Sequence, residues 1–198
     1  MSPSPQTSLG RIVRHQLTII ASFVAIFWCL ELLDRFIFGS QLDQLGIRPH
    51  SLIGLRGILF APFLHGGLGH LATNTIPFIL LAWLVMLQET RDFWIVTCFS
   101  MLVGGLGVWL FAPSHTVTVG ASILIFGYLG FLLFRGYFQR NIASIALSML
   151  VFFTYSGMLW GLLPGRPQVS WQGHLFGFIG GVIAAKLIAK ANHYSAGK

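Results

Sequence analysis

The 198-residue chain is 55% apolar and only 9% charged, with 18 phenylalanines and a mean hydropathy of +0.78. That composition excludes an ordinary soluble domain and points to a chain that lives in a lipid bilayer. The formal charge of +7 comes from basic residues set singly between apolar segments, with no cluster carrying interleaved aromatics, so a nucleic-acid partner is excluded as well.

A window of about 20 apolar residues crosses roughly 30 Å of hydrocarbon. In chain order such windows fall at 17–38, 71–87, 93–111, 122–138, 141–160 and 172–190. The expected fold is therefore an all-α membrane protein, a six-helix bundle over 17–190 with short cytoplasmic tails at 1–16 and 191–198. The polar start, MSPSPQTS, precedes an apolar run too long for a removable signal and lacking a small-residue cleavage site, so that run is read as the first span. The connection at 39–70 contains Gly46, Pro49, Gly54 and Gly57 but reads SLIGLRGILFAPFL in its second half. It is too apolar for a solvated loop and is expected in or on the outer leaflet as short interfacial helices. Cys29 and Cys98 lie within spans and read as small buried hydrophobes.

Orientation follows from the basic residues. With the N-terminus in the cytoplasm, Arg11, Arg14, Arg91, Arg135, Arg140, Lys186, Lys190 and Lys198 face inward, whereas only Arg35, Arg48, Arg56 and Arg166 face outward. The excess on one side favours both termini in the cytoplasm. The compact form and the lack of a targeting segment point to a plasma membrane of prokaryotic type.

Polar side chains inside a membrane are costly enough to need a reason, and four stand out: His70, Asn74, Ser122 and His174. With a rise of 1.5 Å per residue, Asn74, Ser122 and His174 sit roughly 22, 20 and 24 Å above the cytoplasmic boundary, about 10 Å below the outer surface. They share one depth, near the N-termini of spans two, four and six. A serine, a histidine and an asparagine so placed suggest a nucleophile, a general base and an oxyanion donor, assisted by the positive ends of the helix dipoles. His70 and Asn74, four residues apart, share a helix face, whereas His65 does not join them.

Each residue also has a plainer reading. Ser122 after a glycine can be a helix N-cap, His174 can bond a carbonyl within the bundle, and Asn74 can tie helices together. A metal held by His65, His70 and His174 is disfavoured, because no HExxH pair exists and Glu31, Asp34, Asp43, Glu89 and Asp92 all lie at other depths. No cofactor is expected. Gly173, Gly177 and Gly181 recur every four residues and would let another helix approach span six closely.

These pieces resemble the rhomboid intramembrane serine proteases of the minimal six-helix type. The resemblance rests on His65 followed by HLATN with His70 and Asn74, on GAS with Gly120 and Ser122, and on GHLFGFIGG with His174. It implies that Ser122 attacks the scissile carbonyl and His174 takes its proton, with no aspartate. It further implies that His70, Asn74 and the Ser122 backbone N–H bind the oxyanion, and that His65 is structural. Phe126 stands where the family usually has a tyrosine packing on the catalytic histidine. Ile123 stands where the family usually has glycine, and its branched side chain is expected to crowd the pocket or stiffen the backbone beside the nucleophile. The implied activity is cleavage of transmembrane or juxtamembrane segments of other membrane proteins near the outer boundary. The alternative, prompted by Ile123, is an inactive relative that binds membrane helices.

Overall fold

The computed structural model describes residues 5–165 and 169–196. Arg166 and Lys198, both used in the charge asymmetry, lie outside the described residues. Six main helices follow one another: α1 (Pro5–Leu33), α2 (Leu68–Met86), α3 (Thr90–Phe111), α4 (Ser122–Gln139), α5 (Ile142–Tyr155) and α6 (Trp171–Ala196). A π-helical turn over Asp34–Phe38 extends α1, and a 3₁₀ stretch over Ser156–Leu162 extends α5. With those extensions, six helices are long and apolar enough to cross a bilayer: Leu9–Phe38, Leu68–Met86, Thr90–Phe111, Ser122–Gln139, Ile142–Leu162 and Trp171–Asn192.

The first helix starts well before residue 17. Pro5 opens it, where a missing N–H costs nothing, and Arg11, Arg14 and His15 end the apolar run without ending the helix. Most of the expected N-terminal tail is thus helical. Cys29 and Cys98 are exposed on α1 and α3 rather than buried, so they face away from the core.

The short helix α4 is the hub. Leu124, Tyr128, Leu129, Phe131 and Leu132 are sealed from outside, while α5 presents most of its length outward. The closest packing is between α4 and α6, and glycines make it possible. A Cβ on Gly177 would strike the carbonyl oxygen of Ile123, one on Gly181 that of Gly127, and one on Gly130 that of Phe178. Backbone therefore meets backbone along this seam, as small-residue helix pairs in membranes require.

The connection between α1 and α2 folds into short turns, the longest an apolar helix over Leu52–Phe63. It clasps the segment between α3 and α4. Ile47 and Thr118 exchange both backbone hydrogen bonds at 3.0 Å. Trp109 donates its indole N–H to the carbonyl of Ser51 at 2.9 Å and so ties α3 to the first loop.

At the other end of the bundle the structure corrects a charge assignment. Arg135 is only 1% exposed and does not face solvent. Its guanidinium pairs with Asp92 Oδ2 at 3.3 Å, donates to Gln139 Oε1 at 3.1 Å and to the Val85 carbonyl at 3.4 Å, bonds Gln88 and lies over the ring of Phe131. Ser144, at the start of α5, donates to Gln139. A buried cation persists only when paired and bonded in this way, which is why Asp92 is drawn into the bundle beside it.

Candidate active site

Ser122 is the first residue of α4, and the chain reaches it through a turn at Gly120. Gly120 adopts φ +123°, a conformation that side-chain-bearing residues rarely accept. Space enforces the same choice, because a Cβ there would stand 2.6 Å from His70 Cε1 and 2.9 Å from His70 Nε2. The Gly120 amide donates to the Ala61 carbonyl at 2.8 Å, and the Ala121 amide donates to His65 Nε2 at 3.3 Å. Two of the amides entering α4 are thereby consumed by the first loop. The amide of Ser122, next in line, has no hydrogen-bond partner among the described residues and is left open at the positive end of the helix.

His65 accepts from Ala121 and so must be unprotonated at Nε2. Burial and the neighbouring His70 push its imidazole down to about 3, which keeps it neutral over the physiological range. It lies against Phe27 and His70, with ring centroids at 5.5 and 5.3 Å. This histidine holds the loop onto the α4 N-terminus.

His70 and Asn74 project from the first turns of α2 toward Gly120; the Asn74 amide nitrogen stands 3.6 Å from where a Gly120 Cβ would be. Asn74 is 8% exposed, and its amide nitrogen is buried without a hydrogen-bond partner. A buried amide donor normally finds an acceptor, and this one has none among the described residues.

His174 sits in the first turn of α6. Its ring stacks on Phe126, centroids 4.0 Å apart and planes 12° from parallel. Phe126 lies one helical turn beyond Ser122 on α4, so the stack brings the imidazole over the serine-bearing turn. His174 Nδ1 lies 2.9 Å from the Gly161 carbonyl. Since a carbonyl only accepts, Nδ1 carries the proton and Nε2 keeps its lone pair free. The Ser122 hydroxyl and the imidazole are not hydrogen-bonded in this resting arrangement.

Ile123 does not enter the pocket. Its side chain is 1% exposed and lies in the seam lined by Gly104, Val108 and Gly173. Helical geometry explains this, because consecutive side chains on α4 point about 100° apart. Gly161 is a site residue the sequence did not reveal. A Cβ there would stand 2.7 Å from Phe126 Cζ and 3.4 Å from His174 Nδ1, so only glycine leaves room for the stack. Its place in GMLWGLLPG carries no signal linking it to Phe126, 35 positions earlier in the chain. Among the described residues no group of three His, Cys, Asp or Glu is arranged to hold a metal.

A family model described as the rhomboid domain matches residues 54–191. The chain belongs to the rhomboid family. The match includes every helix from α2 to α5 and most of α6, and with them the whole Ser122 neighbourhood. Among similar rhomboid chains, an uncharacterized protein of Mycobacterium tuberculosis is 43% identical over 180 residues, covering 87% of this chain and 75% of that one. An uncharacterized protein of Mycobacterium leprae is 41% identical over 197 residues, covering 93% and 77%. A Bacillus subtilis protein named as a candidate rhomboid protease is 29% identical over 131 residues, covering 63% of this chain and 62% of that one. With six membrane-crossing helices and bacterial relatives, this rhomboid is an integral, multi-pass membrane protein of bacterial type.

Proposed function

We propose that this rhomboid is an intramembrane serine endopeptidase that cuts transmembrane or juxtamembrane segments of other membrane proteins with a Ser122–His174 dyad. The observation that carries the reading is the fixed tautomer of His174. Held by the Gly161 carbonyl on one nitrogen and by Phe126 across its face, the ring offers a basic Nε2 above the turn that begins with Ser122. A base oriented by a third group beside a hydroxyl nucleophile is the recurring arrangement of acyl-transfer sites.

In the proposed reaction the Ser122 Oγ attacks the scissile carbonyl carbon as its proton passes to His174 Nε2. The oxyanion that forms takes hydrogen bonds from the Asn74 amide, the His70 imidazole and the Ser122 backbone N–H, none of which has a hydrogen-bond partner among the described residues. Donors kept empty and pointed at developing charge are worth most in a site shielded from water. Collapse breaks the C–N bond, and the amine leaves with the proton from Nε2. Water then attacks the acyl-serine, gives a proton to Nε2, and releases the carboxylate as that proton returns to Ser122. A short rotation of the Ser122 hydroxyl precedes the first step, since such hydrogen bonds often tighten only with substrate bound.

The substrate is read as a helix that must unwind locally, because helical carbonyls are already bonded to amides. The site is read as opening on the outer side, with both termini cytoplasmic. The Ile123 side chain is buried against Gly104 and Gly173, which counts against crowding of the site and so favours the protease reading over an inactive, helix-binding relative. The test is cleavage of a reporter membrane protein in proteoliposomes: Ser122→Ala and His174→Ala each abolish product while folding is retained. Undiminished cleavage by either variant overturns the dyad.

A further inference from the structure

We infer that Ile123 is a positioning residue, a key on α4 that fits a slot in α3 and α6 and thereby fixes how Ser122 stands relative to His174. The inference rests on the dyad proposed above. The slot is defined by what is missing from its walls. A Cβ on Gly104 of α3 would come within 2.5 Å of Ile123 Cγ2, and one on Gly173 of α6 within 3.2 Å of Ile123 Cγ1. Val108 flanks the same space, 3.4 Å from where a Gly173 Cβ would be, and Ile123 shares a small buried cluster with Val108, Ala112, Ala61 and Ile47.

Two features make this more than packing. The residues in contact are the immediate neighbours of the dyad: Ile123 follows Ser122, and Gly173 precedes His174. A slide or rotation of α4 against α6 that changes the Ser122–His174 reach must therefore also drive the isoleucine out of its slot. The second feature is stiffness. A β-branched side chain in a helix keeps essentially one χ1 rotamer, so both of its arms stay aimed at the two glycines. The backbone carbonyl of Ile123 adds a stop on the same line, because Gly177 has no Cβ to hold it off. The residue that departs from the family pattern is thus matched by glycine on both facing helices.

The experiment uses the full chain in proteoliposomes, reading kcat and KM for a reporter membrane substrate together with the rate of fluorophosphonate labelling. Ile123→Ala should lower kcat about 10-fold with KM nearly unchanged, and Ile123→Val, which keeps both branches at Cβ, should recover most of it. Gly104→Ala should lower kcat at least as far, and adding Ile123→Ala should bring the double variant to within about 3-fold of Ile123→Ala alone, because the clash is relieved. Leu132→Ala, a fully buried change farther along α4, serves as the packing control and should leave the kcat of folded protein unaltered. Should Gly104→Ala fail to fold, the Ile123 pair still decides, since both changes only remove atoms. A wild-type kcat in Ile123→Ala, or an equal loss in Leu132→Ala, overturns the positioning role while leaving the protease reading intact. An unmodified protein that neither cleaves nor labels overturns both.

Discussion

The two ends of α4 treat buried polarity differently. At its C-terminal end Arg135, Asp92, Gln88, Gln139 and Ser144 join one connected network, although Asp92 Oδ1 and Gln139 Nε2 stay buried without a partner among the described residues. At its N-terminal end the side chains of Ser122, His70 and Asn74 make no hydrogen bonds among the described residues, and the Asn74 amide is buried as well. Satisfied polar networks rigidify a fold, whereas unsatisfied buried donors cost free energy unless something else uses them. The contrast is between polar groups linked across helices around Arg135 and, around Ser122, polar groups that are not linked, as the proposed function requires of a site that receives a substrate.

Mutations should therefore behave oppositely at the two ends. The largest effect is expected for Arg135→Met, which strands Asp92 in the bundle and should lower stability by about 3–5 kcal/mol, read by denaturation in detergent micelles, with fluorophosphonate labelling of the remaining folded protein unchanged. Asn74→Ala should do the reverse. It should cut kcat by about 10²–10³-fold, or roughly 3–4 kcal/mol, while thermal unfolding stays the same or rises slightly because an unpartnered amide has gone. A loss of activity in the first or of stability in the second would erase the distinction between the two regions.

Gly161→Ala comes next. Its Cβ meets Phe126 and the His174 ring, so it should displace the imidazole and lower kcat by about 10–10²-fold, with a smaller loss of the same sense in Phe126→Ala. The smallest effect lies in the first loop. Burial and the nearby carboxylates of Asp34 and Glu31 push the Asp43 carboxyl up to about 6. The folded protein then holds this proton more tightly than the unfolded chain, so its contribution is present below about pH 4 and is lost as pH rises through 6. Asp43→Asn should accordingly raise stability at pH 7 by about 1 kcal/mol, after allowance for solvent screening, and leave it unchanged at pH 4. Thermal unfolding across that range measures it.

Hydropathy located α2, α3, α4 and α6 to within a few residues, because an apolar run and a buried helix have the same length here. It misjudged α1, where the helix outlasts its apolar stretch, since hydrogen-bonded backbone does not require greasy side chains. The depth argument grouped Ser122, Asn74 and His174, because one rise per residue relates helices that share a membrane. What a sequence conceals is the direction each residue faces around its helix once neighbours are in place. Ile123 read as an obstruction because its slot is made of absences, Gly104 and Gly173, on helices far away in the chain. Gly161 was silent for the same reason. Arg135 read as a surface charge because its partners Gln88, in the turn between α2 and α3, and Asp92, in the first turn of α3, stand about 45 residues earlier.

The central claim is that Ser122 is a nucleophile activated by His174. Intact-mass and peptide-level mass spectrometry after fluorophosphonate treatment tests it most directly. The account predicts a single covalent adduct, on Ser122, that vanishes in Ser122→Ala and forms far more slowly in His174→Ala. No adduct on the folded wild-type protein, or an adduct that persists in Ser122→Ala, would contradict it.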